Sequence, residues 1–154
     1  MRAAKRRILH SAALGGAVNR YMIASNRLQI GRGRSQATTA ATTFFASKIY
    51  FYTGNWAVKN PKFLFDNSYS AAGTMTAPGN ALSLEKAAIW IAGSFVAAIN
   101  FSSERNVTLS DGAKVWSDAV SGVTLPANTQ IEIRVAGGVA LNEYLVGNVF
   151  GVQT

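Results

Sequence analysis

Between Gln130 and Val135 every second residue is apolar: Ile131, Ile133 and Val135 alternate with Gln130, Glu132 and Arg134. A period of two marks a strand with one face on a core and the other toward water. A slip of one residue would turn the whole apolar set outward, so the phase of this strand is tightly constrained. Short β-prone runs surround it at similar spacing: Ala81 to Trp90, Ser94 to Phe101, Asn106 to Leu109, Lys114 to Trp116, Val123 to Leu125 and Leu141 to Val149. Turn residues separate them, at Ser110-Asp111-Gly112, at Pro126-Ala127-Asn128 and at Gly137-Gly138, where the Gln130 strand is expected to end. Residues 87–98 also fit a helix, but Gly93 in their middle and the flanking Ile, Val and Phe favour two strands. The expectation is an all-β fold, an antiparallel β-sandwich or jelly roll.

The preceding stretch is rich in aromatics and turns. Phe44 to Tyr52 is β-prone and partly alternating, and Thr53-Gly54-Asn55 breaks it. Phe63 to Phe65 is a short apolar run behind the Asn60-Pro61 turn, and residues 67–79 read as loop. Trp56, Phe63, Phe65 and Tyr69 are expected to cover the edge of a core.

Charge divides the chain. Arg2, Lys5, Arg6, Arg7, Arg20, Arg27, Arg32 and Arg34 precede the first acid, Asp66. The remaining seven cations are matched by seven acids, so the net charge of +8 belongs to the N-terminal part. Gly31 to Arg34 reads as a flexible basic link, and Gln36 to Thr43, almost entirely Ala and Thr, as an extended linker. Two units follow: a basic N-terminal arm and linker, 1–42, and a β-sandwich domain, 43–154. The arm's start has the cations of a signal or transit peptide. Its following stretch is small and broken by Gly15-Gly16, without the apolar run of a signal core. No run of 18 apolar residues suggests a transmembrane helix.

The side-chain inventory limits the chemistry. Zero cysteines exclude disulfides, thiolate metal sites and cysteine nucleophiles. The single histidine, His10, lies among cations, with no carboxylate near in sequence to orient it. Gly31-Arg32-Gly33 is too short for a phosphate loop. No acidic cluster has the spacing of a calcium loop, although Asp118 is a conceivable single ligand. The expectation is a protein without catalytic residues, metal or cofactor.

Three segments together carry a resemblance: Asn100-Phe101-Ser102-Ser103, Val107 to Val120 with its Asp111-Gly112 turn and Ser117-Asp118 pair, and Leu125 to Val135 with its Leu-Pro-x-Asn-Thr turn. This pattern resembles the β-sandwich module of phage and proteobacterial proteins that often precedes a GDSL-type hydrolase domain. It covers about residues 80–136, and Ser102 stands where the module has glycine. The resemblance implies a sandwich fold and a phage setting. It does not carry hydrolase activity, because the Gly-Asp-Ser block and the Asp-x-x-His motif are both missing.

Three functional readings follow. The first is a non-enzymatic structural protein of a phage virion (capsid decoration, head fibre or tail component), oligomeric and located in the virion. Its arm cations, Arg2 to Arg34, would bind neighbouring subunits. The second is a carbohydrate-binding accessory module using Trp56, Trp90 or Trp116. The third is weak, unspecific nucleic-acid contact through the arm, with the salt dependence that phosphate neutralisation brings.

Overall fold

The computed structural model describes residues 34–36, 39, 43–71 and 74–146. Every regular element among them is a strand: β1 (Arg34–Gln36), β2 (Phe44–Tyr52), β3 (Val58–Lys59), β4 (Leu64–Asp66), β5 (Tyr69–Ala71), β6 (Thr74–Thr76), β7 (Leu82–Ile91), β8 (Ser94–Ile99), β9 (Val107–Leu109), β10 (Lys114–Trp116), β11 (Thr124–Leu125), β12 (Gln130–Gly138) and β13 (Tyr144–Val146). All pairings are antiparallel. The fold is therefore all-β with several antiparallel sheets.

The largest sheet has five strands in the order β2-β12-β7-β8, with β9 also paired to β7. Its centre is β12, the strand with the clean alternation. Ile131, Ile133 and Val135 are buried, while Glu132 and Arg134 are half-buried on the other face. Their cross-strand neighbours share the phase: Ile131 pairs with Ile91 and Phe51, and Ile133 with Ile89 and Ile49. Ile89, Ile99 and Ile131 are fully shielded from solvent, each contributing about 1.5–3 kcal/mol through its buried apolar area. The short ladders β3–β11 and β4–β10 send Leu125, Phe65 and their neighbours into the same core. Phe65 meets Phe101 there edge to face, with ring centroids 5.2 Å apart.

The strand alternative for residues 87–98 holds. Ala92 and Gly93 both have positive φ, 49° and 78°, the paired left-handed geometry of a two-residue hairpin loop. The Asp111-Gly112 turn also forms, with Gly112 at φ 65° and the Ala113 N–H donating to the Ser110 carbonyl.

Several expectations are corrected. Gly137-Gly138 does not end β12; the strand runs through both glycines, pairing with Phe45 and Phe44 on one side and Leu84 and Ser83 on the other. Packing is the reason. A Cβ at Gly137 would sit 2.0 Å from the Ser83 carbonyl oxygen, so only glycine allows the approach where the β12–β7 register shifts. The stretch read as loop after Asn67 contains the β5–β6 ladder. Trp56 does not cover a core edge; it is 77 % exposed, whereas Phe65 is buried and Phe63 half-buried. The last strand begins at Tyr144, and Leu141 lies in the preceding turn. Residues 34–36, read as the end of the arm, form β1 and pair with β13. The arm cations Arg2, Lys5, Arg6, Arg7, Arg20, Arg27 and Arg32, and His10 with them, lie outside the described residues.

Candidate functional site

The five-stranded sheet buries one face and presents the other, and the sequence alternation decides which side chains stand there. On β2 the outward set is Phe44, Ala46, Lys48, Tyr50 and Tyr52, all exposed, against Phe45, Ser47, Ile49 and Phe51 inward. On β12 it is Gln130, Glu132, Arg134 and Ala136. On β7 it includes Ala88 and Trp90, and Phe95 of β8 is paired with Trp90.

The register aligns these residues across the strands. Phe95, Trp90, Glu132 and Tyr50 form one transverse row over β8, β7, β12 and β2. Three inter-strand spacings make this row roughly 14 Å long. The next row toward the Gly138 end carries Ala98, Ala88, Arg134 and Lys48. At the other side Gln130 lies beside Tyr52.

Charged side chains tie the rows together. Glu132 accepts from the Arg134 Nε–H, and the Lys48 ammonium stands 3.8 Å from the same carboxylate oxygen. The Arg134 guanidinium lies over the Trp90 ring, 3.5 Å from its centroid, and Phe95 meets that ring edge on at 5.8 Å. A cation on a tryptophan face is worth about 0.5–2 kcal/mol, depending on desolvation. Arg134 is thereby held over Trp90 while Phe44, Tyr52 and Phe95 remain 64, 64 and 57 % exposed. At the Gly138 end the face sinks into an open depression of about 280 Å³. Phe44, Glu85, Val139 and Glu143 line it, above the side-chain-free Gly138.

The three tryptophans named from sequence do not form one platform. Trp90 is half-buried on this face with a ring already covered by Arg134. Trp56 is exposed in the segment between β2 and β3, and Trp116 is 53 % exposed on β10 in the separate β4–β10 ladder. Arg34 lies on β1, opposite Val146. The residues missed by sequence reading are Tyr50, Tyr52, Phe95, Glu132 and Arg134 as a set. The β-prone alternation of Phe44 to Tyr52 was the available signal for the first two.

The residues that carry the resemblance act as latches. Asp118 accepts the Ser102 and Ser103 N–H groups at 3.1 and 2.7 Å, where both serines adopt positive φ, 50° and 72°. Ser117 is buried; its hydroxyl accepts from the Phe63 N–H and donates to the Asp118 carbonyl. Thr53 binds the Leu-Pro-x-Asn-Thr turn, accepting from the Thr129 N–H and donating to the Pro126 and Thr129 carbonyls. Asp118 is thus committed to backbone donors, which fits a joint better than a calcium ligand. Among the described residues, no three His, Asp or Glu side chains converge as a metal site. Compared with known proteins, the chain matches no family model and no curated sequence.

Proposed function

We propose that this protein is a non-enzymatic structural subunit of a phage virion (a capsid-decorating, head-fibre or tail component) that assembles with neighbouring subunits. Its body is then a β-sandwich of the jelly-roll kind, and its basic N-terminal arm is the tie. The observation that carries the reading is the outer face of the five-stranded sheet, where exposed Tyr50, Tyr52 and Phe95 stand in or beside the row of an Arg134-capped Trp90 and exposed Phe44 stands at the Gly138 end. Aromatic residues and arginine are the side chains enriched at protein–protein contacts, because they bury large areas with little loss of side-chain freedom. A contiguous aromatic patch on a rigid sheet is costly in water and favours a partner. The arm adds to this: eight cations precede the first acid, so their counter-charges must come from elsewhere. The phage setting rests on the resemblance of residues 80–136, whose joint residues are the latches described above.

The exposure of Trp56 and Trp116 favours carbohydrate binding as a second reading. Their placement on separate elements, and the coverage of Trp90, make it the weaker one.

Sedimentation of the full chain across a concentration series tests the assignment. Self-association is expected. Deleting residues 2–33, which spares β1, is expected to abolish it while circular dichroism retains the β signal. A chain that stays monomeric, and binds a polysaccharide that Trp56→Ala or Trp116→Ala releases, would replace this reading with the second.

A further inference from the structure

Seven side-chain carboxylates are available to the eight cations that precede Asp66, and all seven lie among the described residues. Most are already committed. Asp66 holds Lys114, and Glu132 holds Arg134 and Lys48. Asp111 accepts the Gly79 N–H, and Asp118 accepts the Ser102 and Ser103 N–H groups. Glu104 lies apart, in the turn after β8. The remaining two, Glu85 and Glu143, line one open depression of about 280 Å³ at the Gly138 end of the five-stranded sheet.

The backbone positions both. Where the β12–β7 register shifts, Ala136 pairs with Lys86 and Gly137 with Leu84, so Glu85 is the extra residue of a bulge. A bulge re-aims the side chain it carries. The Glu85 carboxylate is exposed and makes no hydrogen bond or ion pair. Glu143 is fixed across a turn: its Oε2 accepts the Ala140 N–H at 3.0 Å, and its own N–H donates to the Ala140 carbonyl at 3.1 Å. Its other carboxylate oxygen stays open to a further donor. The ring of Phe44, 64 % exposed, stands at the same depression, with Val139 and Ala140 as apolar floor and rim. Two carboxylates beside an aromatic ring suit a guanidinium group, which pairs with the oxygens and stacks on the ring face.

The chain itself supplies such groups. Lys5-Arg6-Arg7 is its only run of three consecutive cations, and apolar Ile8-Leu9 follows at once. That order matches carboxylates set beside Val139 and Ala140. β1 lies on β13 with Arg34 opposite Val146 and Gln36 opposite Tyr144. The chain ahead of β1 therefore joins the body at the Val146 end of this ladder, away from Glu143.

We infer that the depression above Gly138 receives residues 5–9 of a second copy, with an arginine of the run between Glu85 and Glu143 and against Phe44. This rests on the assembly reading, and it identifies where the arm binds.

Sedimentation of full chains over a concentration series, with circular dichroism beside it, tests the contact by exchanging its charges. E85K/E143K reverses the depression and R6E/R7E reverses the arm. Each variant alone is expected to self-associate about tenfold more weakly than the parent, or weaker still, with its β signal intact. An equimolar mixture of the two is expected to regain association, because each then meets opposite charge on the other. The milder E85Q/E143Q should also weaken association while unfolding at the parent's urea midpoint, and added salt should weaken the parent more than this variant. Depression variants that associate like the parent, or a mixture no stronger than its components, overturn the inference. Association that survives these changes but is lost on deleting residues 2–33 removes this inference alone, whereas a chain that never associates removes the assembly reading as well.

Discussion

Asn67 should be the most sensitive polar residue of the body. It is fully buried between β4 and β5, and its amide nitrogen donates to the carbonyls of Asn80, Leu109 and Ser110 at 2.9, 3.3 and 3.0 Å. One side chain thus joins the start of β7 and the end of β9 to the β4 ladder. Two N–H groups serve three acceptors, so at least one bond is shared. Asn67→Ala removes both donors from the buried Asn80 and Leu109 carbonyls, at about 1–3 kcal/mol for each left unpaired, while the exposed Ser110 carbonyl keeps the Ala113 N–H. It also leaves a small cavity. A net loss of roughly 2–4 kcal/mol is expected, lowering the urea midpoint by about 1–2 M at an m-value near 2 kcal/mol/M. Asn67→Asp keeps the shape and replaces the donor by an oxygen facing carbonyls. The new carboxyl is driven toward its protonated form by burial and by the surrounding acceptors, so its folded pKa lies above its unfolded value. Stability contributed by that raised pKa is present below the unfolded pKa and lost as pH rises through the folded one. The Asp variant should therefore close part of its gap to the parent as pH falls from 7 toward 4. Urea titrations of parent and both variants at pH 7 and pH 4 supply the measurement. A loss below about 1 kcal/mol for Asn67→Ala, or a gap for Asn67→Asp that widens on acidification, would refute the reasoning.

Two further outcomes follow from the backbone. Gly137→Ala should cost about 3 kcal/mol or more in thermal or urea unfolding, because its Cβ meets the Ser83 carbonyl oxygen and rigid backbone cannot step aside; a neutral result would mean that the β12–β7 register is different. Ser102→Gly should stabilise by about 0.5–1 kcal/mol, since Ser102 holds φ 50° where glycine is unstrained; a clear destabilisation would show that the serine side chain contributes there.

How much of this molecule is legible in its sequence depends on the range of the interaction. Period-two alternation is a property of neighbouring residues, so the burial of Ile131, Ile133 and Val135 follows from Gln130–Val135 alone. The same holds for the break between two strands at Gly93 and for the turn at Asp111-Gly112, where glycine's backbone freedom is local. Other features are set by partners far along the chain. Gly137 reads as a terminator but is an interior strand residue, because Ser83 approaches it from β7. Asn67 reads as a loop residue but is a buried joint, because three carbonyls 13 to 43 residues away converge on its amide. Trp90 reads as a free platform but carries a guanidinium 44 positions later, brought over it by the pairing of β7 with β12. The sequence by itself determined the strand at Gln130–Val135 and the phase of its faces, the all-β character of the body and where the charge resides. Only the tertiary structure decided which strands are neighbours, and so which aromatic and charged side chains share the outer face, since hydrogen-bonded pairing joins segments that no local pattern connects.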